Sequence, residues 1–250
     1  MFVITKKDII FYSIISLTIL LAIFTPITFT NHQVNSNLIN TVTSTNLQEK
    51  IKVVIDAGHG EPDGGAVSSD GIKESDLNLQ IAQKLKTKLE EADIEVIMTR
   101  EDANNIATEN EQQAKIRQIK TSDLNNRVKI ANESGALILV SIHMNKFEDS
   151  KYRGWQTFYS KVSEEGKKLA EEIQTSIGES VKIENKRTAL KIEGIKIIDK
   201  SQITAVIVEC GFLSNPEECK LLQDEAYQEK MAEGIKNGIQ KYLSDVWGRP

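Results

Sequence analysis

The chain has 250 residues, of which 40% are hydrophobic and 27% charged, and this is enough apolar material for one good-sized core. Its 31 basic and 36 acidic residues give a net charge of -5. They are spread along the chain, so no long basic run occurs that could neutralise successive phosphates. Nucleic acid is therefore not an expected partner. The two cysteines, Cys210 and Cys219, are too few for a disulfide framework, and we interpret both as incidental while leaving a bridge between them open.

The N-terminus carries an apolar segment. Lys6 and Lys7 precede a nearly unbroken apolar run from Ile9 to Phe24, which extends to about Phe29. A run of roughly 20 residues can span a bilayer core of ~30 Å, and the flanking lysines favour a cytoplasmic start. Residues 1–29 are therefore predicted to be a membrane anchor or a signal segment, with the rest of the chain outside the cytoplasm. The anchor is favoured because no small-x-small cleavage site is evident after the run.

The main domain is predicted to occupy residues 51–245. Residues 30–50 are rich in Asn, Thr, Ser and Gln, a composition that cannot bury enough surface to fold, and are predicted to be a linker. The apolar run from Ile51 to Ile55 then ends in a glycine-rich stretch, as a buried strand followed by a loop does. A helix is predicted next, with Ser75 or Asp76 as its cap and an apolar stripe of Leu77, Ile81, Leu85 and Leu89.

The same alternation of strand and helix continues to the C-terminus. Further apolar strands are predicted at 94–98, 136–142, 155–159 and 203–208, and helical stripes contain Leu124, Val128 and Ala131, then Leu169, Ile173 and Ile177, then Tyr227, Met231, Ile235 and Ile239. The polar stretch from Ala103 to Ser122 does not fit this rhythm and is predicted to be a surface helix or loop. The fold class is therefore α/β, a single domain with a mostly parallel central sheet flanked by helices on both faces.

Polar residues at the strand exits are the candidate site. His59, His143 and Glu209 each follow an apolar strand, and Glu74 lies beside the start of the first helix. In a parallel sheet these positions share one edge, where ligands bind. Two imidazoles and a carboxylate with an open fourth position make a catalytic zinc site. Position alone leaves a structural interpretation open for each residue, as a loop or strand-end histidine or as a glutamate at a helix N-terminus.

Six separated motifs around these residues resemble those of the zinc-dependent N-acetylmuramoyl-L-alanine amidase family. They are Val54-Ile55-Asp56-Ala57-Gly58-His59-Gly60 with Asp63-Gly64-Gly65-Ala66, then Gly71-Ile72-Lys73-Glu74, Thr99-Arg100-Glu101-Asp102, Asn126-Arg127-Val128, Ser141-Ile142-His143-Met144-Asn145, and Val208-Glu209-Cys210-Gly211-Phe212-Leu213-Ser214-Asn215. The resemblance covers residues 51–243. Within the family, the charged stretch with Arg117 and Lys120 looks most like the germination-specific spore-cortex amidases of endospore-forming bacteria.

The resemblance implies roles for particular residues. It makes His59, Glu74 and His143 the zinc ligands and Glu209 the catalytic carboxylate, for hydrolysis of the amide bond between N-acetylmuramic acid and L-alanine in peptidoglycan. The implied setting is spore cortex maturation or germination. Asp56 is a candidate acceptor that orients His59 or a residue of the turn, and Asn145 is a candidate donor to substrate or a structural loop residue. Cys210, next to Glu209, stands close enough to the site to be a target of oxidation.

Two other functions and three routes of localisation remain open from sequence alone. One alternative is a catalytically inactive wall-binding domain, which would not need the three metal ligands and the carboxylate together. The other is a zinc peptidase that cuts within the stem peptide, which would use the same metal chemistry. We expect no wall-binding module after the domain. Its localisation is therefore predicted to depend on the membrane segment, on its own affinity for peptidoglycan, or on an activating or localising partner protein. The expected location is extracytoplasmic, in the spore envelope for a spore-cortex enzyme.

Overall fold

A computed structural model describes residues 50–107 and 115–248 of the chain. Its strands are β1 (Lys52–Ala57), β2 (Glu95–Met98), β3 (Ile138–Asn145), β4 (Gln156–Ser160), β5 (Leu190–Ile192) and β6 (Thr204–Phe212). Its helices are α1 (Glu74–Glu91), α2 (Ile116–Glu133), α3 (Glu164–Val181), α4 (Lys196–Asp199), α5 (Pro216–Leu222) and α6 (Glu225–Trp247). The predicted apolar segment and most of the predicted linker lie outside the described residues.

The strands form one six-stranded sheet in the order β2-β1-β3-β6-β4-β5. Neighbouring strands are parallel except β4 and β6, which are antiparallel, so the prediction of a mostly parallel sheet is confirmed. The central strands are apolar on both faces, as strands covered on both sides must be. The carboxyl ends of β1, β3 and β6 lie together at one edge.

Helices cover both faces of this sheet. The larger core lies on the face covered by α1, α3 and α6, and these helices contribute the predicted stripes, including Leu77, Leu85, Ile173, Ile177, Ile235 and Ile239. A smaller core lies on the opposite face, where α2 and α4 contribute Ala131, Ile197 and Ile198. We call this second side the α2 face. Burial of these stripes is the main term that holds the layers together, at about 25 cal/mol per Å² of apolar surface.

Some local predictions differ from the structure. Helix α1 begins at Glu74 and no side chain caps it, so the prediction that Ser75 or Asp76 is the cap is wrong. Both residues lie in the first turn instead, because the Glu74 and Ser75 backbone N–H groups bond to the carbonyls of Ala66 and Gly64. Helix α2 begins at Ile116, within the stretch that was predicted to be a surface helix or loop. Among residues 50–107 and 115–248, no helix is long and apolar enough to cross a membrane.

Both cysteines are buried and free, so no bridge joins them. Cys210 packs in the larger core, on the opposite side of the sheet from the smaller one. Successive side chains of a strand point to opposite faces, which separates Cys210 from Glu209 although the two are adjacent in sequence. The expectation that Cys210 is an oxidation target is therefore wrong, and its burial instead raises the pKa of the thiol well above its usual range.

Candidate metal centre

His143 and Glu209 face the same side of the sheet because of strand alternation. Ile142 and Val208 belong to the larger core, so the side chains that follow them point to the α2 face. The two residues are also direct partners across the parallel β3–β6 pair. The structure therefore brings these two predicted residues together at the carboxyl edge of the sheet.

His59 reaches the same place from the loop after β1. Its backbone has a φ of 62°, a left-handed conformation that is uncommon outside glycine. The neighbouring Gly58 is required for a different reason, since a Cβ there would lie 2.2 Å from Nε2 of His143. The imidazole rings of His59 and His143 lie edge to face, with their centroids 5.0 Å apart.

Glu74 completes the cluster from the first turn of α1. Its Oε1 lies 2.8 Å from Nδ1 of His143 and 3.3 Å from Nε2 of His59. Its Oε2 accepts a hydrogen bond of 2.8 Å from the backbone N–H of Ala66. The carboxylate is therefore held by the preceding loop with one oxygen toward both histidines.

The three side chains fit a zinc ion. His59, Glu74 and His143 each offer one ligand atom, and these atoms all lie within 4.8 Å of one another. Two imidazole nitrogens and one carboxylate oxygen are a common protein donor set for catalytic zinc, with metal–ligand distances of about 2.0–2.2 Å and a fourth position left open. No further protein ligand is needed at this site.

The electrostatics of the cluster follow from its mixed charges. Burial lowers the pKa of His59, but hydrogen bonds to Asp63 and Glu74 outweigh this effect and raise it to about 9. Burial raises the pKa of Glu74, but the two histidines outweigh it and hold that pKa well below the usual range. The carboxylate is thus kept ionised, as a metal ligand must be.

Glu209 behaves differently from Glu74. Burial raises the pKa of its carboxyl to about 7, with the His143 charge opposing this effect and the Glu74 charge adding to it. Its Oε2 is buried and has no hydrogen-bond partner among the described residues. A buried carboxylate oxygen without a partner is costly in a purely structural role, and a pKa near neutrality suits a group that accepts and returns a proton.

Asp56 makes no hydrogen bond to the residues of the metal cluster, whereas Asp63 does. The carboxylate of Asp56 contacts Thr99, Ser141 and Arg127, with distances of 2.7 Å to Thr99 and 2.6 Å to Arg127, and it makes no hydrogen bond to His59. The group that does so is Asp63, whose Oδ2 lies 2.9 Å from Nδ1 of His59. The contacts of Asp56 thus favour the structural alternative, which was left open from sequence.

Asn145 makes structural hydrogen bonds in its loop and has a side-chain amide donor that is not used by them. Its carbonyl accepts a hydrogen bond of 2.8 Å from the N–H of Leu213, and its Oδ1 accepts one of 2.8 Å from the N–H of Lys146. Both contacts organise the loop after β3. The amide donor of Asn145 makes no hydrogen bond within the described residues, so its proposed role toward substrate stays a prediction.

Two buried arginines hold the loop that carries His59. Arg100 donates to the carbonyls of Ala57 and Gly58 at 2.8 and 3.1 Å, and Arg127 donates to the carbonyls of Ala57 and His59 at 2.7 and 2.6 Å. Sequence reasoning noted both motifs but gave them no role. Arg127 lies on the predicted apolar stripe of α2, and this position could have indicated its role. A guanidinium that is buried there needs hydrogen-bond acceptors.

The fold and the site define the class of protein: an α/β domain with a three-residue zinc-type cluster and a neighbouring buried carboxylate at the carboxyl edge of its sheet. The sequence profile of the family described as N-acetylmuramoyl-L-alanine amidase matches residues 53–241. The chain belongs to this N-acetylmuramoyl-L-alanine amidase family, and the resemblance seen in the sequence motifs is confirmed.

Individual relatives are similar over most of their length. The germination-specific N-acetylmuramoyl-L-alanine amidase of Bacillus subtilis is 36% identical over 198 residues, which cover 79% of this chain and 82% of that protein. The CwlD amidase of Clostridioides difficile, solved in complex with the GerS lipoprotein, is 44% identical with a TM-score of 0.76, and the match covers 78% of this chain and all of that one. The catalytic domain of CwlV, an amidase from Bacillus (Paenibacillus) polymyxa, has a TM-score of 0.66 at 31% identity, with 78% and 98% covered.

Proposed function

We propose that this chain is a zinc-dependent amidase that hydrolyses the bond between N-acetylmuramic acid and L-alanine in peptidoglycan, in the maturation or germination of spores. The observation that carries the proposal is the cluster of His59, Glu74 and His143 with the unpartnered Glu209 beside it, in a chain of the amidase family. Similarity to a germination-specific amidase supports the cellular setting.

Metal binding, proton transfer and orientation of the ligands are assigned to different residues of the site. His59, Glu74 and His143 would hold the zinc, which when bound polarises a carbonyl and lowers the pKa of a water molecule. Glu209 accepts the proton of the attacking water and delivers it to the alanine nitrogen, a contribution of about 10²–10⁴-fold. Asp63 holds the ring of His59 through Nδ1, which leaves Nε2 directed at Glu74.

A partner protein and the cell envelope complete the proposal. The CwlD amidase of Clostridioides difficile was solved in complex with a lipoprotein, which supports a localising or activating partner for this chain as well. Amidases that act on peptidoglycan work outside the cytoplasm. We propose that residues 1–29 anchor the protein in the membrane and that the linker of residues 30–50 tethers the catalytic domain, residues 51–245, to the outer face of that membrane.

The activity is tested by digestion of purified peptidoglycan with the zinc-loaded protein, with and without a chelator. The expected product is newly freed amino groups of L-alanine, and the chelator should abolish their release until zinc is restored. Release of amino groups from other stem residues would instead identify a zinc peptidase. Full activity after complete removal of metal would contradict the zinc assignment.

Zinc binding is tested separately with His143→Ala. Two protein ligands then remain, so bound zinc should be lost while the fold persists, because the sheet has its own core. Metal content by atomic spectroscopy and circular dichroism measure the two effects independently. Full zinc occupancy and activity in this variant would show that His143 is not a ligand.

A further inference from the structure

The metal centre opens into a cleft that has both polar and apolar side chains in its lining. The cleft has a volume of 370 Å³ and lies on the α2 face of the sheet. Its lining includes His59, His143 and Glu209, the charged residues Asp56, Asp63, Lys120, Asp123 and Arg127, and four aliphatic residues, Leu124, Ile195, Ile197 and Ile207, which we call the apolar lining. The reaction proposed above does not use the apolar lining.

The apolar lining adjoins Glu209 through Ile207. Ile207 stands two residues before Glu209 on β6, so both side chains point to the same face at neighbouring positions. Leu124 on α2 and Ile195 before α4 pack against the smaller core but are only partly buried. They therefore present apolar surface to the cleft, and a ligand that covers this surface gains free energy in proportion to the area removed from water.

We infer that this apolar lining binds the side chain of the stem-peptide residue whose nitrogen leaves, which is the methyl group of L-alanine. The inference rests on the proposed function, in which Glu209 delivers a proton to that nitrogen. The leaving nitrogen must then lie within hydrogen-bond reach of Glu209, and the carbon that carries the methyl group is bonded to it. Ile207, Ile195 and Leu124 line the same cleft and form a wall that selects a methyl group over hydrogen.

The test compares two synthetic muramoyl peptides that differ by this methyl group, one with L-alanine and one with glycine after the lactyl carbonyl. The zinc-loaded full-length protein should cleave the alanine substrate with a kcat/KM about 10-fold or more above that of the glycine substrate. Ile195→Ala should reduce this ratio to within about 3-fold, and Ile195→Val should give an intermediate ratio, since its side chain is shorter by one methylene group. The ratio is independent of the fraction of enzyme that is folded.

Val162→Ala is the matched control, because Val162 is also an aliphatic residue but is 82% exposed and does not line the cleft. It should keep the wild-type ratio. Equal kcat/KM for the two substrates with wild-type protein would overturn the inference and leave the amidase function standing. A wild-type preference that neither Ile195→Ala nor Leu124→Ala changes would also overturn it. Absence of cleavage of both substrates by the zinc-loaded wild type would contradict the proposed function itself.

Discussion

At the scale of single residues, the centre depends on side chains that orient other side chains. Asp63 lies 2.9 Å from His59, and it also contacts Lys120 at 2.8 Å, which places a positive charge of α2 beside it. Burial raises the pKa of Asp63, but hydrogen bonds from His59 and Lys120 outweigh it and lower that pKa well below the usual range. Asp63 therefore stays ionised and holds His59 in one orientation.

Asp63→Asn is expected to weaken zinc binding by about 10–100-fold, the usual effect of removing the hydrogen-bond partner of a metal-bound histidine. Competition with a chromogenic chelator measures the affinity. Asp70→Asn, at an exposed aspartate of the same loop, is the control and should leave the affinity unchanged. Equal affinities for Asp63→Asn and wild type would show that His59 does not need this acceptor.

Glu209→Gln separates proton transfer from metal binding. The amide has nearly the same shape but no basic oxygen, so zinc content should be unchanged while hydrolysis falls by about 10²–10⁴-fold. Zinc content and the release of L-alanine amino groups are measured on the same preparation. Glu217→Gln, at an exposed glutamate whose ion pair with Arg153 is 3.8 Å long, should keep full activity. Loss of zinc from Glu209→Gln would mean that Glu209 is itself a ligand.

At the scale of elements, helices α3 and α6 pack so closely that glycine is needed between them. A Cβ on Gly238 would lie 2.5 Å from Cα of Ile173, and one on Gly234 would lie 2.5 Å from Cα of Ile177. These contacts are to helix backbone, which cannot move aside as the end of a flexible side chain can. The close approach allows α3 and α6 to cover the larger core together.

Gly238→Ala is expected to lower the free energy of unfolding by up to about 2 kcal/mol. Overpacking costs about 1–3 kcal/mol, and the greater helix propensity of alanine returns about 1 kcal/mol of it. Gly178→Ala is the control, since its Cβ would lie 3.5 Å from the Trp155 ring, an ordinary contact, and the change should be neutral or stabilising. Denaturant unfolding of both variants measures the difference. A stabilised Gly238→Ala protein would contradict the close packing.

At the scale of the whole molecule, a buried ion pair links β1 to α2. Arg127 contacts Asp56 at 2.6 Å and Asp123 at 2.8 Å, and the side chains of Arg127 and Asp56 are almost fully buried. Burial raises the pKa of Asp56, but the Arg127 charge and hydrogen bonds from Ser141 and Thr99 lower it to about 2. Protonation of Asp56 is therefore less favourable in the folded chain than in the unfolded chain.

Stability is expected to fall as the solution is acidified from about pH 4 to pH 2. Because the folded pKa of Asp56 is depressed, its contribution is present above the unfolded pKa and is lost as the pH falls through the folded value. A shift of this size corresponds to about 2 kcal/mol. Denaturant unfolding at a series of pH values measures it. Asp56→Asn should be less stable at neutral pH and should show a weaker pH dependence in this range, whereas an unchanged slope would contradict the assignment.

Much of the fold could be predicted from the sequence because the periodicity of apolar residues reflects local geometry. A four-residue stripe recurs with the helical period and is buried: Leu77, Ile81, Leu85 and Leu89. The apolar runs that begin at Ile51, Ala136 and Ile203 each overlap a strand of the central sheet. The start of α1 at Glu74 was not predictable in this way. Backbone bonds from the 64–66 loop, rather than a capping side chain, fix where that helix begins.

The sequence by itself determined which residues compose the candidate site, because the carboxyl ends of parallel strands converge at one edge of a sheet. His59 follows β1, and His143 and Glu209 lie near the carboxyl ends of β3 and β6. Only the tertiary structure decided what each neighbour does. Asp56 and Asp63 both flank His59 in sequence, yet it is Asp63 that contacts its ring. Likewise, Cys210 adjoins Glu209 in the chain and lies on the other face. Hydrogen bonds and burial depend on the direction of each side chain after the loop has folded, and spacing along the chain does not record that direction.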